Sequence, residues 1–192
     1  MKKFALNAEP RKELGKKSTK ALRKQDLIPC VLNGGKIVEL PYKEALRPGE
    51  KLVEIANNRG LITTDMVVKS EDVRKLIYTP DIFEIDLTLN GEERKAVLKD
   101  IQFQPVKDTI LHLDFLEVFP GKPIEMEVPV QIEGHAEGVK AGGKLSLSMR
   151  KLRVKAEYTA IPEKLVINVD NLGLGQSLSV GDLHFEGLEL MN

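Results

Sequence analysis

The 192-residue chain holds one cysteine and three histidines. A lone thiol, Cys30, excludes an intramolecular disulfide and suits a reducing cytoplasm. His112, His135 and His184 are far apart in sequence and have no cysteine cluster beside them, so no metal site and no cofactor are expected. No apolar run reaches membrane-spanning length, which argues against a transmembrane helix and against a membrane partner. The start of the chain has two lysines like a secretory leader, but its apolar part stops at Leu6 and acidic residues follow. No signal peptide is expected. A phosphate loop at Gly15-Lys16-Lys17-Ser18 fails because Pro10 stands where the first glycine is required. Cys30, inside Pro29-Cys30-Val31-Leu32, has the surroundings of a buried small hydrophobe, not of a nucleophile. With no convergent cluster of reactive groups, an enzyme is not expected.

What the chain does have is charge of one sign in one place. Its formal net charge is zero, yet residues 1–95 hold 19 basic against 15 acidic residues, and residues 96–192 hold 10 against 14. Within residues 1–24 there are nine basic residues and two acidic ones. The densest part, Lys16, Lys17, Lys20, Arg23 and Lys24, surrounds Ser18 and Thr19 and leads straight into the apolar run 28–32. A cationic loop and helix fastened to a strand suits a polyanion, although a solvated lysine-rich surface has the same composition.

Local patterns predict a mainly β protein with a few short helices. Residues 2–8 form a first strand, and Pro10 and Gly15 bracket a loop. Residues 18–25 favour a helix, with Ser18 or Thr19 as N-cap and Pro29 as the stop. Residues 30–40 predict two strands joined in a hairpin at Asn33-Gly34-Gly35. Residues 41–61, rich in Pro, Gly and Asn, read as an inserted excursion with a turn of helix and a strand at 51–55. A strand follows at 61–69, then a helix from Ser70 with Val73, Leu76 and Ile77 as its apolar stripe. Phe83, Ile85, Leu87 and Leu89 alternate with polar residues up to Asn90-Gly91, and a second run covers 94–103, which is a hairpin with one buried face. Residues 110–119 give one more strand, and the Pro- and Gly-bearing stretch 119–123 divides a first domain, 1–119, from a second, 120–192. The second is all β, with strands expected at 124–132, 145–147, 152–158 and 165–169 and a loop-like cover at 172–183.

His112 and Asp114 sit two apart on a strand and so share a face. Lysines and arginines neutralise phosphates without selecting a site. Selecting an RNA needs groups that reach base edges or ribose hydroxyls, which Gln102, His112, Asp114 and Asn33 can supply.

The stretch NAEPRKELGKKSTKALRKQDLIPCVLNGG, followed by VLKDIQFQPVKDTILHLDFLEV, resembles the bacterial large-subunit ribosomal protein twenty-five family, which binds 5S rRNA. The distal VPVQIEGHAEGVKAGGKL and IPEKLVINVDNLGLGQSLSVGDL are similar to its long, two-domain CTC or general-stress form. The resemblance covers nearly the whole chain except residues 41–61. It implies an N-terminal small β-barrel gripping 5S rRNA around loop E, a C-terminal β domain, and a monomer present once per ribosome beside other large-subunit proteins and rRNA. Position by position, it implies RNA contacts from Arg11, Lys16, Lys17, Thr19, Lys20 and Arg23, with Gly15 letting the loop approach. From the barrel face it implies contacts by Asn33, Gln102, His112 and Asp114. The chain departs from the family pattern at Asn33, where Tyr is usual, at Ala21, where a basic residue is frequent, and at Phe103-Gln104, in place of Arg-His. A second expectation, of another class, is a stress-related interaction module whose C-terminal domain docks a ribosomal or other protein partner.

Overall fold

The computed structural model describes residues 1–11, 13–35, 37–40, 42, 45–55 and 59–191. The chain is mainly β, as its alternating patterns require, and divides into two compact units. One holds Lys2–Thr79 and Phe83–Phe119; the other holds Met1, Pro80–Ile82 and Pro120–Asn192.

Among the described residues, six strands of the first unit close into a barrel. They are β1 (Lys2–Pro10), β2 (Leu27–Asn33), β5 (Arg59–Lys69), β6 (Phe83–Leu89), β7 (Glu92–Phe103) and β8 (Ile110–Glu117), adjacent in the order β1-β6-β7-β8-β2-β5 with β5 returning to β1. β1 runs parallel to β6 and β2 parallel to β8; the other pairs are antiparallel. Leu6, Cys30, Leu32, Met66, Leu113 and Phe115 fill the interior. The helix α2 (Ser70–Tyr78) adds Val73 and Leu76 to that core and carries Glu71 and Asp72 in its first turn, where the helix dipole favours them. Phe115 is fully enclosed, so Phe115→Ala is expected to destabilise the barrel by about 3–5 kcal/mol, measured by urea unfolding followed at barrel amides.

Two expectations for residues 30–61 need correction. β2 and β3 (Ile37–Glu39) do not form a hairpin. β2 pairs with the 64–69 part of β5 and β3 with the 59–61 part, so both follow one edge of the same strand in the same direction. Gly34 (φ +85°) and Gly35, whose Cβ would fall 2.4 Å from the Ile62 carbonyl oxygen, let the chain bulge and continue without reversing. Residues 41–61 carry the strand expected at 51–55. β4 (Glu50–Ile55) pairs with residues 59–64 of β5 on the opposite edge, continuing where β1 leaves off. The expected turn of helix does not occur among the described residues there; residues 41, 43, 44 and 56–58 lie outside them. Lys51 meets Asp65 at 2.5 Å, Arg94 meets Glu50 at 3.3 Å and Arg47 pairs with Glu92, tying this ribbon to the barrel.

The second unit is a four-stranded sheet in the order β11 (Leu165–Asn168), β9 (Pro123–Glu133), β10 (Lys151–Glu157), β12 (Glu189–Leu190). Ile124, Met126 and Val128 of β9 alternate inward beside Leu152, Val154 and Ala156 of β10. A short helix, α3 (Glu137–Lys140), follows β9. Residues 145–147 are not a strand: Leu145 and Leu147 instead line a groove of about 640 Å³ together with Ile132, Val169, Leu174 and Leu178. The 172–183 stretch is a loop with one 3-10 turn at Val180–Asp182, as its glycines require.

Asp170 anchors this unit's turn after β9. Its Oδ1 accepts from the His135 N–H at 2.7 Å, and a Cβ on Gly134 would collide with that carboxylate. The His135 hydrogen bond and then Asn168 hold the Asp170 carboxyl below its ordinary range. A depressed folded-state value stabilises the fold above the ordinary aspartate range of about 3.9 and is lost as pH falls through the lower folded value. Asp170→Asn is therefore expected to flatten the acid limb of the C-terminal unit's thermal stability below about pH 4, a change read by pH-dependent melting.

Candidate nucleic-acid interface

The cationic helix α1 is Lys16–Lys24, beginning two residues earlier than expected. Neither hydroxyl acts as its N-cap. Gly15 occupies that position at φ 112°, a conformation L side chains rarely adopt, and it makes no side-chain cap. The hydroxyls work as donors instead: Thr19 Oγ1 donates to the Gly15 carbonyl at 2.8 Å and Ser18 Oγ to the Glu13 carbonyl at 3.1 Å. Arg11 folds over the same loop, its Nε donating to the Glu13 carbonyl and its Nη2 to Thr19 Oγ1, both at 2.8 Å. Pro29 is not the stop and lies within β2. The helix ends at Lys24, and Asp26, at φ 56°, turns the chain into the strand.

Ser18, Thr19 and Leu22 are half-buried and form the edge of α1 that leans on β2. Lys16, Lys17, Lys20 and Lys24 are exposed, and three of them lie at i, i+4 and i+8 along one line. Among the described residues no carboxylate lies within ion-pair distance of these four lysines. Like charges at that spacing oppose one another, so the helix is at its most favourable with an anion beside it. Ala21 is also exposed, so the missing cation at that position would have faced solvent.

Beside the helix lies the outer face of β7, β8 and β2. Leu113 and Phe115 point inward, which sets His112 and Asp114 outward. His112 Nδ1 is 2.8 Å from Asp114 Oδ1. Gln102 lies directly across from His112, Asp100 across from Asp114, and Val31 across from Asp114 on the other side. Asn33 pairs with Leu116, one outward position further along β2. The expected residues therefore form two adjoining groups: a basic helix with its loop, and a patch of directional donors and acceptors. Arg23 joins them, donating Nε and Nη2 to the Leu111 carbonyl at 3.2 and 2.8 Å.

Asp100 belongs to that patch and went unread in the sequence. Its two-residue offset from Gln102 was the available signal, hidden by a bulge between Leu98 and Asp100. At the departures from the family pattern, Phe103 is exposed, and Gln104 closes the following turn by accepting from Thr109 Oγ1 at 2.8 Å. Cys30 is buried in the barrel core, and burial pushes its thiol well above the ordinary range, so it stays protonated and packs as an apolar group.

A small closed barrel with a lysine-rich helix leaning on one strand, and hydrogen-bonding side chains on the neighbouring two, is the build of an RNA-binding protein. The profile of the Ribosomal L25p family matches residues 6–47 and 42–115, and that of the ribosomal protein TL5 C-terminal domain matches residues 123–192. The chain is 53% identical over 193 residues to the large ribosomal subunit protein bL25 of Porphyromonas gingivalis, spanning all of this chain and 88% of that one. It is 52% identical over 197 residues to bL25 of Parabacteroides distasonis, spanning all of this chain and 89% of that one. The chain belongs to the ribosomal L25p family, in the long form that carries a TL5-type C-terminal domain.

Proposed function

We propose that this protein is a structural, non-enzymatic component of the bacterial large ribosomal subunit that binds 5S rRNA. The observation that carries the reading is the adjacency of four solvent-facing lysines on α1 to the outward Gln102, His112 and Asp114. The lysines release counterions from phosphates, which supplies affinity without sequence preference. The barrel face supplies the preference, because outward-facing donors and acceptors can meet base edges in an irregular helix whose groove is open. Residues 1–119 are the RNA-binding domain and residues 120–192 a second domain. The free protein is a monomer and the ribosome holds one copy, in the cytoplasm, beside other large-subunit proteins and rRNA.

The test is binding to 5S rRNA and to a version whose loop E is replaced by regular Watson–Crick pairs. The expected result is tight binding to the first and a loss of at least about tenfold on the second. Equal affinity would remove the proposed preference. The apolar groove of the C-terminal unit favours a second reading, in which that domain docks a protein and the RNA grip is an anchor. Deleting residues 121–192 tests where RNA recognition lies: 5S affinity is expected to survive, while a fall to that of an unrelated RNA would put recognition in the C-terminal domain.

A further inference from the structure

Arg23 is exposed and cationic, yet its hydrogen bonds go inward to the barrel. The helix that carries it has nine residues, no side-chain cap, no acidic residue in its first turn and no buried side chain. Isolated helices shorter than about 12 residues are marginal in water, so packing or tethers must hold α1 in place.

The receiving atom is unusual. β7 and β8 pair Gln102 with His112 and then Phe103 with Ile110, which leaves Leu111 as the extra residue of a bulge, outside that ladder. On the β2 side, pairing with β8 begins at Cys30, and the residue before it, Pro29, has no N–H to offer. The Leu111 carbonyl is thus a leftover acceptor immediately before His112. Arg23 takes it with two nitrogens, across 88 positions of sequence. At the other end of the helix, Arg11 ties Glu13 and Thr19 together.

We propose that Arg23 is a positioning residue. It staples α1 to the bulge that aims His112 and so fixes the distance between the phosphate-binding lysines and the base-reading face. The proposal rests on the RNA-binding reading above and goes beyond it, because a role as one more phosphate contact is what charge alone implies. A lysine keeps the charge but not the planar fork that places two N–H groups on one oxygen.

The experiment compares full-length wild type, Arg23→Lys, Arg23→Gln and, as the phosphate-contact control, Lys20→Ala. Two quantities are measured: hydrogen exchange of the α1 amides in the free protein, with the Phe115 amide as the check on the barrel, and salt-dependent binding to 5S rRNA and an unrelated duplex. Arg23→Lys is expected to speed α1 exchange by about tenfold with Phe115 unchanged. It is also expected to cut the preference for 5S rRNA about tenfold while leaving the salt slope unaltered. Lys20→Ala should instead lower the slope by about 0.9 and weaken both RNAs alike. Wild-type behaviour of Arg23→Lys in both measurements, with a slope loss of about one in Arg23→Gln, would overturn the proposal. Should wild type show no preference for 5S rRNA, the RNA reading fails. The exchange arm then still decides the anchor, since unchanged α1 protection in Arg23→Lys sinks it.

Discussion

Replacing Lys16, Lys17, Lys20 and Lys24 together with alanine is expected to flatten the salt dependence of RNA binding by about three to four units of log–log slope. Each duplex phosphate contact contributes about 0.9 to that slope, and the intact protein, with roughly four to six contacts, should show a slope of about −4 to −5. The loss should fall equally on 5S rRNA and on an unrelated duplex, because the ammonium groups read charge and not sequence. Folding should change little, since all four side chains are exposed and none has an ionic partner among the described residues. Alanine has the higher helix propensity and removes like-charge repulsion, so α1 should gain slightly in stability as the protein loses RNA. Filter binding over 50–300 mM salt measures the slope, and an unchanged slope would exclude these lysines as phosphate contacts.

The opposite pattern is expected at the barrel face. His112→Ala or Asp114→Ala should lower the preference for 5S rRNA by about 1–3 kcal/mol, roughly ten- to hundredfold, while leaving the salt slope near its original value. The two side chains are 2.8 Å apart, so their effects should not add. Losing either frees the other to turn away, and the double variant should cost little more than the worse single one. Discrimination that survives both replacements would remove their assigned role and leave Asp100 and Gln102 to carry selection.

Much of this site is legible before any coordinates. Alternation of Phe83, Ile85, Leu87 and Leu89, closed by Asn90-Gly91, specifies a hairpin because both central residues must take positive φ, and they do, at 54° and 81°. His112 and Asp114 fall on one face for the same reason of strand period. The errors share a cause: local signals whose meaning depends on distant partners. Gly34-Gly35 suggests a reversal, yet both flanking strands find the same edge of β5, roughly thirty residues on. Ser18 and Thr19 suggest a cap, but Gly15 supplies the backbone geometry, and the hydroxyls are drawn to carbonyls of the preceding loop. Leu145 and Leu147 alternate with serines like a strand, but these residues line a groove. The part played by Arg23 was hidden most completely. Its partner is a main-chain oxygen at a bulge, which no residue identity announces.

The central claim, that adhesion comes from α1 and selection from the β7–β8–β2 face, is tested most directly by one titration. Binding of the full-length protein to 5S rRNA is measured over a range of salt beside an unrelated duplex RNA of equal length. The account predicts parallel salt slopes for the two RNAs, separated by at least about tenfold in affinity at every salt concentration. Coincident curves that vanish together as salt rises would reduce the basic helix to a sticky surface and contradict the account.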